Sequence, residues 1–109
     1  DLKIWATEYG NATTPVFGVS ETVQANFLED FLVAWSKLPF AGPAFVYSAQ
    51  DLATGVLNHE ANFGLFNDDG TPKLAAEVLA NLIAEFDLTL GLCGYRSVAE
   101  LESSVLERV

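Results

Sequence analysis

Two short apolar runs, residues 2–7 (LKIWAT) and 44–47 (AFVY), stand roughly 40 residues apart with one amphipathic stretch between them. That spacing constrains the fold more than any other feature. Each run holds apolar residues at adjacent positions rather than alternate ones, the pattern of a strand buried on both faces of a parallel sheet. Parallel strands need a crossover of about a dozen residues or more, usually a helix, and the intervening segment supplies one. Tyr9-Gly10-Asn11 stops the first run, and a loop through Pro15 and Gly18 leads to Ser20. Ser20 is a helix N-cap, with Glu21 favourably placed in the first turn. Val23, Phe27, Leu28, Phe31, Leu32 and Trp35 then recur at helical spacing as one wide stripe. Pro39 and Gly42-Pro43 are expected to end that helix.

After the second run comes a long loop, residues 48–71, in which Asp68-Asp69-Gly70 signals a tight turn. Pro72, at a first helical position, opens a helix whose stripe is Val78, Leu79, Leu82, Ile83 and Phe86. Beyond Asp87 the character changes: Gly91 and Gly94 flank Cys93, and Ser97 with Glu100 forms a capping box for a short last helix. The predicted order is strand, helix, strand, helix and a tail helix, an α/β arrangement with a parallel crossover. Two parallel strands alone make a poor sheet, so the sequence predicts that the sheet edges are covered by more of the same protein or by an oligomeric copy.

Composition removes several function classes. The chain has 109 residues and a net charge of −10, with 15 acidic residues against 5 basic ones. A phosphate backbone would be repelled, so no nucleic-acid partner is expected. Acidic residues interrupt every apolar run before the roughly 20 residues that a membrane span needs. The first residues enter an apolar run directly, which reads as the mature or cut end of something longer; a secreted or cell-envelope location is favoured over a cytoplasmic one. His59 has no second His and no Cys nearby, and no Gly-rich loop follows a strand, so neither metal nor cofactor is expected. Cys93 is expected to be a packed small side chain.

Glu8 is the residue with the clearest chemical placement. Regular alternation puts Ile4, Ala6 and Glu8 on one face, and Lys3, Trp5 and Thr7 on the other, with Trp5 packing against the helix layer. Glu8 then stands at the carboxyl end of a strand, where parallel α/β folds build active sites. A strand directs a carboxylate well enough for it to be a nucleophile; a solvated or helix-capping Glu is the other reading.

The segment Ile4-Trp5-Ala6-Thr7-Glu8-Tyr9-Gly10, then Phe45-Val46-Tyr47-Ser48-Ala49-Gln50-Asp51, then Phe63-Gly64-Leu65 and Asp69-Gly70-Thr71-Pro72-Lys73, resembles the last quarter of a clan A glycoside hydrolase. More narrowly it is similar to family five and family thirty-nine cellulase and β-xylosidase-like barrels. The resemblance implies a (β/α)₈ barrel of which residues 1–87 are strands seven and eight with their helices. Residues 88–109 are an unassigned extension bearing the short helix. It implies that Glu8 is the nucleophile of a retaining O-glycosidase, and that Tyr47 and Asp51 stand at the end of strand eight. Leu74 departs from the family pattern, which usually has a second Pro there. The acid/base residue, from the fourth barrel strand, lies outside the chain, so the isolated chain is predicted to be inactive or very weak. Glu60, in Asn58-His59-Glu60, only superficially matches the Asn-Glu pair that carries that role. Carbohydrate, and neutral carbohydrate given the acidity, is the expected substrate. Tyr9 and Tyr47 are sugar platforms or core plugs, Ser48 and Gln50 offer hydrogen bonds to hydroxyls, and Asp51 is a loop anchor or a substrate contact. Two rival readings stand: a non-catalytic carbohydrate-binding or assembly module, and an autonomous two-layer α/β domain whose residues 88–109 pack onto the sheet.

Overall fold

The computed structural model describes residues 2–85 and 90–93. They run β1 (Ile4–Tyr9), α1 (Glu21–Ser36), β2 (Ala41–Val46), a 3₁₀ turn (His59–Asn62), α2 (Leu74–Glu85) and β3 (Leu90–Leu92). The strands form one sheet in the order β1-β2-β3, with both pairings parallel. The α/β class with a parallel crossover is therefore present. β3 is an addition to the expected order, inside the segment left unassigned. It pairs Ala44, Phe45 and Val46 of β2 with Leu90, Gly91 and Leu92. Phe86, the boundary at 87/88 and the tail helix expected from Ser97 and Glu100 lie outside the described residues.

Local chemistry explains the element ends. Ser20 Oγ accepts the Val23 N–H at 3.1 Å and caps α1. The helix stops at Ser36, earlier than Gly42-Pro43, because the Lys37 N–H turns back to the carbonyls of Ala34 and Trp35. Gly42 and Pro43 lie inside β2 instead. A proline is tolerated there because the register slips between Ile4↔Ala41 and Ala6↔Ala44, giving β2 one extra unpaired residue. Trp35 Nε1 donates to the Gly42 carbonyl at 2.8 Å, tying the end of α1 to that bulge. α2 begins at Leu74 rather than at Pro72, which forms an antiparallel bridge with Phe66. The Glu21 carboxylate accepts the Leu74 N–H at 3.1 Å, so the first turn of α1 caps α2.

One core serves both helices. Ala25, Leu28 and Leu32 of α1 and Ala75, Ala76, Leu79 and Leu82 of α2 pack with Ala44 and Val46 of β2, together with Ala49, Leu65 and Phe66 from the long loop. Ala44 and Val46 are alternate residues and share a face. Both helices therefore cover the same face of a sheet whose strands follow in sequence order. The winding runs in one direction, unlike a doubly wound sheet, where helices cover both faces.

The opposite face carries Trp5 and Phe45, ring centroids 6.1 Å apart, and no layer of the described residues covers it. This corrects two expectations. β1 is not buried on both faces: Ile4 is 55% and Trp5 58% exposed, because β1 is an edge strand. Trp5 lies on the open face, not against the helices. A second slip, between Ala6↔Ala44 and Tyr9↔Val46, sets three residues of β1 against two of β2. Ala6 and Tyr9 consequently both pack toward the core. The regular alternation of Ile4, Ala6 and Glu8 is broken, and Glu8 turns to the open face, where its charge acts on Tyr47 and Cys93.

Candidate functional site

Three strand ends meet at one rim: Glu8 from β1, Tyr47 just past β2 and Cys93 just past β3. A cavity of about 420 Å³ opens there, lined by Tyr47, Ser48, Gln50, Glu60 and Cys93 among others. Its wall is backbone-bonded, with Tyr47 N–H to Tyr9 O at 2.8 Å, Cys93 N–H to Val46 O at 3.0 Å and Ala49 N–H to Cys93 O at 2.7 Å. The Tyr47–Ser48 peptide is cis. Gly10 passes close behind Tyr47. A Cβ at that position would collide with the Tyr47 carbonyl oxygen, so only glycine lets the β1 exit run this close.

Tyr47 is the centre of the polar lining. Its hydroxyl donates to Glu60 Oε2 at 3.1 Å, and its ring meets Phe63 edge-on with centroids 5.3 Å apart. Glu60 is held in turn, since Asn58 Oδ1 accepts the Glu60 N–H at 3.0 Å. His59 Nδ1 lies 2.8 Å from Thr14 Oγ1, joining this turn to the β1–α1 loop. The hydrogen bond to Glu60, the Glu60 charge and, more weakly, desolvation and the Glu8 charge raise the Tyr47 pKa above its ordinary value of 10.0. Burial, reinforced by Glu8, raises that of Cys93.

A raised phenol pKa makes a pH prediction with a definite sign. The contribution of this bond to stability is fully present below the unfolded phenol pKa, near 10, and is lost as pH rises through the higher folded value. In a spectrophotometric titration one tyrosine should ionise later than in the unfolded chain. Glu60→Gln should bring that tyrosine back toward ordinary behaviour; an unchanged titration would remove Glu60 as the cause.

Beneath the rim lies a buried anchor. Lys73 Nζ is 2.8 Å from Asp51 Oδ1, with both side chains almost wholly inaccessible. It also donates to Thr13 Oγ1 at 2.8 Å and to the Asn62 carbonyl at 3.3 Å. The Asp51 carboxylate further accepts from the Gly64 N–H at 2.8 Å and from Thr54 Oγ1 at 2.8 Å. Asn62 fixes the loop from inside through Gly55 N–H at 3.0 Å and the carbonyls of Val56 and Asn58 at 2.8 and 2.9 Å. Loop 48–71 is thus pinned at both ends. Beside it, the Asp68-Asp69-Gly70 turn forms as expected, with Gly70 at φ +85°, and the Gln50 amide donates to the Asp68 carbonyl at 2.9 Å.

The expected residues divide accordingly. Tyr47, Ser48 and Gln50 line the cavity, and Glu8 stands close enough for its charge to reach Tyr47 and Cys93. Tyr9 does not: its ring stacks on Phe31 with centroids 4.1 Å apart and its hydroxyl donates to the Phe27 carbonyl at 3.1 Å, so it packs against α1. Asp51 borders the cavity, but its oxygens are engaged by Lys73, Thr54 and Gly64, so it serves as the loop anchor. Glu60 enters the cavity although its sequence context argued against a role. Lys73 carried one overlooked signal: a cation directly before a helix opposes the helix dipole unless something nearby neutralises it. The lining can present a carboxylate, a phenol, a hydroxyl and an amide to a hydroxyl-rich ligand. Comparison with protein-family models, with curated proteins and with solved structures finds no match for the chain.

Proposed function

We propose that the chain is the strand-seven and strand-eight portion of a retaining (β/α)₈ glycoside hydrolase, with Glu8 as its nucleophile. The observation that carries this reading is the position of Glu8 at the carboxyl end of a one-way-wound parallel sheet, on the uncovered face beside Tyr47. In a closed barrel that face is the interior and that end holds the chemistry. The Glu8 carboxylate attacks the anomeric carbon as the bond to the leaving oxygen breaks. A carboxylic acid from outside this chain gives that oxygen its proton. Water, deprotonated by the same group, then releases the sugar from Glu8.

Incubating the intact protein with a 2-deoxy-2-fluoro glycoside bearing a good leaving group tests the proposal. One covalent sugar per protein should appear, on the peptide containing Glu8, and Glu8→Gln should abolish it. Labelling at another carboxylate, or none under conditions where the protein turns over the parent glycoside, would overturn the assignment. The isolated chain should show no robust turnover of aryl glycosides, since the acid/base partner lies elsewhere.

β3 favours a second reading, an autonomous two-layer domain, which expects residues after 87 to join the sheet as 90–92 do. That reading leaves the exposed edge of β1 and the Trp5–Phe45 face without a purpose, so it ranks second. A non-catalytic sugar-binding module would keep its affinity in Glu8→Gln and never trap the fluorosugar.

A further inference from the structure

We infer that Glu60 is the specificity-determining residue of the cavity, receiving a neutral sugar through adjacent hydroxyls and excluding sugars that carry a carboxylate. The inference rests on the glycosidase reading for its ligand class and adds the group that discriminates within that class. Glu60 lines the cavity, and its position is set from two sides, by Tyr47 Oη on Oε2 and by Asn58 on its N–H. An ionised carboxylate has roughly four lone-pair sites, and the Tyr47 bond occupies one. The remaining acceptors match a pair of neighbouring hydroxyl donors, and charge-assisted bonds of this kind are the stronger ones. Because the carboxylate is held before any ligand arrives, little ordering is required on binding.

The distribution of charge completes the argument. Glu8 and Glu60 both act on Tyr47 at this rim. Among the described residues the lysines stand elsewhere, and His59, next to Glu60, turns its Nδ1 to Thr14 Oγ1 at 2.8 Å. Lys73 is buried and paired with Asp51. Lys3 precedes β1 and bonds the Pro39 carbonyl, and Lys37 caps α1 just before β2, so both lie at the amino ends of the strands. Among the described residues, an anionic sugar would therefore meet two carboxylates and no free lysine, whereas a neutral sugar would meet acceptors.

The test is a titration of the full chain with cellobiose and with cellobiouronic acid, the same disaccharide carrying one carboxylate, followed by amide chemical shifts. Wild type should bind cellobiose with shifts centred on residues 47–50 and 60, and bind the uronic acid at least about tenfold more weakly. Glu60→Gln keeps an acceptor for Tyr47 and lies on the surface, so the fold should be retained. It should weaken cellobiose binding about tenfold and bring the two affinities close together. Equal wild-type affinities, or a Glu60→Gln variant with both affinities unchanged, would overturn the role of Glu60 and leave the carbohydrate reading standing. Absence of binding to either sugar by the wild-type chain would overturn the inference, while the carbohydrate reading of the intact protein is decided separately by the fluorosugar labelling.

Discussion

Lys73→Met should lower the unfolding free energy by about 3–5 kcal/mol, a large part of the total for a domain of this size. The substitution removes one charge of a buried pair and leaves the Asp51 carboxylate inaccessible and uncompensated. It also releases the Thr13 hydroxyl and the Asn62 carbonyl, which lie in the β1–α1 and β2–α2 connections. Urea unfolding followed by the fluorescence of Trp5 and Trp35 measures the loss. The pair is itself expected to contribute less than its breakage costs, because two charges have been taken from water to form it. Adding Asp51→Leu to Lys73→Met should therefore recover part of the stability lost in the single variant. A single-variant loss below about 1 kcal/mol would mean that the pair behaves as a solvated surface bridge.

Phe66→Ala should cost a similar amount, about 3–5 kcal/mol, through the cavity left at a position only 1% exposed. The residue has a second function that makes the effect more than volumetric. Its N–H reaches the Ala49 carbonyl at 2.9 Å, its carbonyl accepts the Asp51 N–H at 2.9 Å, and it bridges both Gln50 and Pro72. Loss of the ring should loosen the backbone that presents Ser48 and Gln50. Amide exchange at residues 48–51 should accelerate more than exchange in the α1 interior, a regional difference that uniform destabilisation would not produce. Phe66→Leu should cost less, since more of the volume remains filled.

How far the sequence revealed this depends on how local each signal was. The helices were legible because their stripes repeat every three to four residues, and Ser20 stands where a cap belongs. The strands were legible as apolar runs, and Asp68-Asp69-Gly70 as a turn. Facing was not: a run that is apolar on both sides says nothing of register, and the slip against β2 that separates Ala6 from Glu8 arises from pairing with residues 37 or 38 positions away. β3 is three residues long, too short for any periodicity to register. The place of Glu8 near a strand end was legible because a strand end is a local feature. Glu60 was passed over because its relation to Tyr47 is created by a 3₁₀ turn 13 residues later. Lys73 was read as part of a turn because its partners, Asp51 and Thr13, lie 22 and 60 positions away.

The anchor beneath the rim has a consequence for divergence. Asp51 and Asn62 are fixed by Lys73, while most of the stretch between them is exposed, and Leu52 and Glu60 of that stretch line the cavity. Insertions or exchanges at residues 52–58 would alter what the mouth admits without reaching the core, because the cost of a longer surface loop grows only slowly with its length. The chain thus separates two inheritances: keeping the buried charge pair can hold the scaffold while the segment it suspends drifts toward new ligands.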